Sequence, residues 1–176
     1  MDISEEMRNQ DMDKADIKLV PRVNLTGAKL NGADFHKVDL HGANLMGANL
    51  MGANLNGADF CNADLRGADL RRANLSRAYI SKANLSGARL AGADLRDAYL
   101  DSANLSEADF SGADLEGACL HRANLIKANL SGTNLRDVLI DGANLDGVVL
   151  DRTDRPSWLT EEWSITSDGL IVKRDD

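Results

Sequence analysis

Ser81, Asp101 and His121 stand 20 residues apart, with His41 and Cys61 before them and Asp141 after, all at the same spacing. A hydroxyl or thiol nucleophile, an imidazole base and a carboxylate are the parts of acyl-transfer chemistry. That chemistry needs the imidazole to bridge nucleophile and carboxylate. It also needs donors aimed at the developing oxyanion. What a 20-residue spacing means in space decides whether these side chains can act together.

Residues 23–152 are one five-residue phrase repeated, Ala-(Asn/Asp)-Leu-x-Gly, seen without variation from Ala43 to Gly57. Its central residue, here position i, falls on every multiple of five from Leu25 to Leu150, giving 26 units without a slip. Every i residue is Leu, Phe or Ile, and i−2 is Ala in all but five units. Two inward positions flanking one outward position is strand geometry. Gly at i+2 in 14 units allows a corner, and Asn or Asp at i−1 bonds nearby backbone. A period of five keeps no stripe on a helix, and each Gly would cost a helix roughly 1 kcal/mol. Repetition at a fixed period therefore predicts a solenoid.

Seven units lack Asn or Asp at i−1: Lys29, Tyr79, Arg89, Tyr99, Cys119, Leu139 and Val149. Sorted at a 20-residue step, they fall into two of four columns, and the other two columns hold none. The sorting predicts four units per coil and 6.5 coils, on the order of 30 Å of rod at about 4.8 Å per coil. Ser81, Asp101 and His121 then line up one coil apart with the carboxylate in the middle. The imidazole cannot bridge the other two, and a flat wall offers no oxyanion hole. No catalytic residue is expected. His36, His41 and His121 form no cluster with ligand spacing, so neither metal nor cofactor is expected.

The phrase resembles the pentapeptide-repeat family, in the Ala-(Asn/Asp)-Leu-x-x form common in cyanobacteria and other bacteria, over residues 23–152. The resemblance implies an all-β fold, a right-handed quadrilateral β-helix with i and i−2 inside. Short non-repeat caps are expected at both termini. Some members bind DNA gyrase as acidic rods that mimic duplex DNA and protect it from quinolone-type poisons.

Three segments are expected: 1–22 as an irregular N-terminal cap, 23–152 as the solenoid, and 153–176 as a C-terminal cap and tail. Val20-Pro21-Arg22 reads as a three-residue insertion that sets the phase. Arg155 to Trp163 reads as a short helix, and Ser167-Asp168-Gly169 as the turn of a hairpin. Trp158, Leu159 and Trp163 are the candidate lid over the last coil, or a self-association surface, because an open solenoid end exposes apolar core and strand edges.

The net charge of −8 is spread so that the solenoid carries only −3. Residues 61–90 form a basic collar and 91–120 an acidic one. Arg77/Asp97, Arg89/Asp109 and Arg96/Glu116 are expected to pair between coils. No positive face accumulates, so no nucleic-acid partner is expected. The interrupted charge also imitates DNA poorly. No apolar run reaches the roughly 18–20 residues of a membrane span, and two cysteines make no disulfide framework. The sequence is read as cytoplasmic. One wall carries the column Tyr79, Tyr99, Cys119, Leu139, a candidate interaction strip for a protein partner or a second copy. The expected role is a non-catalytic scaffold, as a monomer or as an end-to-end or face-to-face homodimer. Topoisomerase protection is the alternative.

Overall fold

The computed structural model of the protein describes residues 22–151, 163–166, 169 and 171–173. Residues 22–151 form a four-sided coil. Each i−1 residue from Asn24 to Asn129 makes a parallel bridge to the residue 20 positions on, as in Asn24↔Asn44↔Asp64 and Asp59↔Tyr79↔Tyr99. Leu45 and Leu65 therefore lie on one face, four units per coil. Three backbone bonds per unit tie neighbouring coils. For the unit at Leu85 they are Leu85 N–H to Asn104 C=O at 2.7 Å, Gly87 N–H to Ser106 C=O at 2.9 Å, and Asn84 N–H to Ala63 C=O at 2.9 Å.

The corner follows i. The N–H of i+3 donates to the carbonyl of i, as from Ala88 to Leu85 at 2.9 Å. The i+2 residue then turns with positive φ, which fits a type II turn. All i+2 residues from Arg22 to Gly147 adopt φ of 54–72°, including Arg77, Ser102 and Glu107. Glycine is thus the favoured corner residue and not a required one, because the interlocked coil imposes the conformation on whatever residue is present.

Inside, i and i−2 stack in columns. Leu45, Leu65, Leu85 and Leu105 are buried, with Ala43, Ala63, Ala83 and Ala103 beside them, and Phe60 and Phe110 are fully enclosed. The regular geometry reaches back to Arg22, which has the corner φ of 65° and donates to His41 C=O at 2.8 Å. Arg22 is thus not part of an insertion; it occupies an i+2 position. The rest of the N-terminal segment lies outside the described residues.

At the other end two short strands, β1 (Trp163–Ile165) and β2 (Ile171–Lys173), pair antiparallel with Ile165 opposite Ile171. The segment around β2 closes the last coil. Ile171 N–H donates to Val148 C=O at 2.7 Å, Gly147 N–H to Ile171 C=O at 2.9 Å, and Leu150 N–H to Gly169 C=O at 2.9 Å. Partner numbers fall as coil numbers rise, so this covering segment runs antiparallel to a coil whose other contacts are all parallel. Ile171 is completely buried on the core. Trp158 and Leu159 lie outside the described residues, as does most of the helix expected up to Trp163. Trp163 itself opens β1 and does not close a helix: its backbone pairs with Lys173 in a ladder. On another wall Leu135, the last i residue of its column, is only half-buried. On the wall of Leu130 and Leu150, Asp151 Oδ2 accepts the Gly132 N–H at 2.7 Å, where the regular pattern would use the backbone carbonyl of residue 151.

Candidate interaction surface

The outward i−1 residue normally works for the backbone. Its Oδ1 accepts the N–H two residues on, as from Met46 to Asn44 at 3.1 Å and from Ser106 to Asn104 at 3.2 Å. Where Asn residues stack, Nδ2 also reaches the neighbouring coil. Asn104 donates to Asn84 and Asn124 to Asn104, both at 3.2 Å.

Tyr79, Tyr99, Cys119 and Leu139 abandon that role. They bridge in sequence along one wall, Tyr79↔Tyr99↔Cys119↔Leu139. The two tyrosine rings stack with centroids 5.1 Å apart and planes 4° from parallel. Tyr79 is 49%, Tyr99 45% and Leu139 52% exposed. Cys119 is half-buried between them and its thiol lies 3.1 Å from Asp101 Oδ1. The structure thus brings all four strip residues together.

The would-be catalytic set remains a line. Ser81 Oγ reaches Asp101 Oδ2 at 3.5 Å, while His121 Nδ1 faces Asp141 Oδ2 at 3.9 Å, one coil further on. The imidazole has taken the carboxylate on its far side from Ser81, so no relay joins them. Burial pushes the Cys61 thiol up to about 11, with help from the Asp59 carboxylate. Burial raises the Cys119 thiol as well, with Asp101 adding to it. Both stay protonated at neutral pH and are poor nucleophiles. Among the described residues no three His, Cys, Asp or Glu side chains converge on a metal site.

Charge is neutralised locally. Arg66 chelates Asp64 at 2.9 and 2.6 Å, Arg96 chelates Asp94 at 2.9 and 2.7 Å, and Arg71 grips Asp69 in the same way. Each guanidinium holds its carboxyl below the usual range, mainly through these hydrogen bonds. The expected Arg77–Asp97 pair is present at 3.8 Å. The other two are replaced. Arg89 turns back to Asp69 at 3.6 Å, and Arg96 takes Asp94 and, at 3.8 Å, Asp114. For Arg96 the reason is geometric: i−1 and i+1 both point outward around a buried i, so a carboxylate and a guanidinium in one unit meet before either reaches the next coil, whereas Arg89 simply takes the carboxylate of the preceding coil.

Among the described residues, two exposed large apolar side chains lie outside the strip. Met46 and Met51, 40% and 41% exposed, sit at i+1 on adjacent walls. Their signal in the sequence was two consecutive Ala-Asn-Leu-Met-Gly units, in which the x position is apolar. Gly169 and Ile171 were also missed as the covering residues of the C-terminal end; the turn signal at Ser167-Asp168-Gly169 pointed to a hairpin but not to what that hairpin packs on.

A solenoid with this phrase on every wall is the pentapeptide-repeat architecture. The family described as pentapeptide repeats matches eight copies in this chain, over residues 22–57, 43–81, 53–92, 78–117 and 118–154. The chain belongs to that family, and its coil is a right-handed β-helix, as in its structural relatives.

Three solved structures illustrate the likeness. HetL, a pentapeptide repeat protein involved in heterocyst differentiation regulation in the cyanobacterium Nostoc sp. strain PCC 7120, is 37% identical, with TM-score 0.51 over 77% of this chain and 67% of that one. A pentapeptide repeat protein of the Arabidopsis thaliana thylakoid lumen is 35% identical, with TM-score 0.51 over 53% and 66%. QnrB1, a plasmid-mediated fluoroquinolone resistance protein, is 28% identical, with TM-score 0.53 over 74% and 68%. The chain thus spans about two thirds of the length of each. Among curated protein sequences, none matches. Among the described residues no helix is long and apolar enough to cross a membrane.

Proposed function

We propose that the protein is a non-catalytic scaffold of the cytoplasm, a stiff rod that presents the Tyr79–Leu139 wall to a protein partner. One observation carries this reading. Among the described residues, three of the five exposed large apolar side chains line up on a single wall, in a column where Asn or Asp would have served the backbone better. Contiguous exposed apolar surface marks interaction sites, and Tyr is favoured in them. The two unpaired cysteines suit a reducing compartment.

Likeness to a fluoroquinolone resistance protein supports a second reading, protection of a topoisomerase by imitation of DNA. The arginine–aspartate chelates weigh against it, since they break the rod's acidic surface into neutral pairs. A gyrase supercoiling assay with and without a quinolone separates the readings: the scaffold reading expects no protection. The scaffold reading itself is tested with Tyr79→Asn/Tyr99→Asn, which restores the repeat phrase. The double variant should fold and lose the proteins that the parent chain captures from lysate. Undiminished capture refutes the role of the strip.

A further inference from the structure

The strip lies between two charged columns. Arg77, Asp97, Gly117 and Asp137 occupy the corner just before it; Ser81, Asp101, His121 and Asp141 occupy the positions just after it. The contacts Arg77–Asp97, Ser81–Asp101 and His121–Asp141 confirm that each column steps one coil at a time. Read along the rod, both columns change character. The end at Tyr79 carries Arg77, with Lys82 beyond it, and the end at Leu139 carries Asp137 and Asp141, with Arg136 3.7 Å from Asp137 and Arg122 beyond His121. Arg77, Asp137 and Asp141 are among the most exposed of the ion-paired side chains, at 75%, 77% and 93%.

A surface with charge of opposite sign at its two ends is its own complement when a second copy is laid on it in the reverse direction. A two-fold axis across the wall, between the Tyr99 and Cys119 levels, places residue i of one copy against residue j of the other, and j against i. Tyr79 then meets Leu139 of the second copy, and Tyr99 meets Cys119. On the flanks Arg77 meets Asp137, and Asp101 meets His121. With the rods side by side in the same direction, Asp97 would instead confront Asp101, and Asp137 would confront Asp141. Like charges brought together in this way disfavour that arrangement.

We propose that this wall is a homodimer interface, and that two copies pack face to face with their rods antiparallel. The proposal rests on the scaffold reading of the strip and specifies the occupant: a second copy of this chain. About four coils overlap, giving roughly 300–400 Å² per copy, half of the usual 800 Å² or so. The dimer is therefore weak and forms on the order of 10–1000 µM.

The experiment is sedimentation of the purified full chain across that concentration range. The parent chain should pass from monomer to dimer. Arg77→Asp or Asp137→Arg alone should weaken the dimer about tenfold or more, because each sets like charges face to face twice. An equimolar mixture of the two variants should recover parental dimerisation, since both cross-copy pairs become opposite in sign again. Both positions are open corners whose column already holds Asp and Arg, so the coil should be kept, as circular dichroism would show. Arg66→Asp, on another wall, should leave the dimer unchanged. A parent chain that stays monomeric to about 1 mM, reversals without effect, or a mixture that stays monomeric each overturn the antiparallel dimer. These results leave the scaffold reading standing; that reading falls separately, if Tyr79→Asn/Tyr99→Asn captures lysate proteins as well as the parent does.

Discussion

The wall through Asn24–Asn144 and the wall through Asp39–Leu139 share one backbone and differ in what points outward. On the first, Asn104 accepts from the Ser106 N–H and hydroxyl and joins Asn84 and Asn124 in a ladder. On the second, Tyr99 stacks on Tyr79 and Cys119 leans on Asp101. Beneath these surfaces the two walls match. Leu105 and Leu100 are both completely buried, and both donate to the next coil at 2.7 Å. The coil is therefore set by i, i−2 and the corner. The i−1 residue adds local bonds but can be replaced, so a column that departs from Asn or Asp is where a surface can be specialised.

The largest expected effect tests the claim that the walls match. Leu100→Ala and Leu105→Ala should each lose about 2–5 kcal/mol in denaturant melts, by similar amounts. A gap between them of more than about 1.5 kcal/mol would break the equivalence of the two walls. Next comes Asn104→Ala, which removes the bond to the Ser106 N–H and two rungs of the ladder. A loss of about 1–2 kcal/mol is expected from the same melts. Tyr99→Asn should change less. It forfeits a stacked pair worth about 0.5–1.5 kcal/mol but regains an Asx bond of about 0.5–1 kcal/mol. If Tyr99→Asn proves more damaging than Asn104→Ala, the tyrosine column is primarily a structural brace.

The smallest effect concerns the chelated carboxylates. Arg66, Arg71 and Arg96 lower the folded-state pKa of Asp64, Asp69 and Asp94, so these groups bind protons more weakly folded than unfolded. Their contribution is fully present above the ordinary Asp value of about 3.9 and fades as pH falls below it. Melting temperature should be flat in this respect from pH 5 to 8 and drop below about pH 4. Exposure and salt keep the effect small. Asp64→Asn should flatten part of that drop.

The coil was legible because its signal repeats. A residue that recurs at one spacing 26 times reports its environment each time, and the seven i−1 exceptions even revealed the coil length. The strip was legible for the same reason: Tyr79 and Tyr99 break a pattern. What was not legible is what occurs once. Arg89 choosing Asp69 over Asp109 depends on side-chain reach, since both carboxylates are one coil away. The covering of the last coil by Gly169 and Ile171 depends on a chain reversal that no repeat announces. The corner conformation of Arg22 was masked by its neighbours, which do not follow the phrase.

The three inter-coil bonds of each unit run along the rod, and every bridge joins residues one coil apart. That arrangement gives the molecule a mechanical character. Tension on an end coil is resisted by the next coil alone, so it should yield by peeling, one coil after another. A coil about 4.8 Å tall stores 20 residues, which extend to roughly 66–72 Å once released. Each step thus pays out more than ten times the height it occupied. The solenoid is stiff until an end opens, and then behaves as a reel of slack.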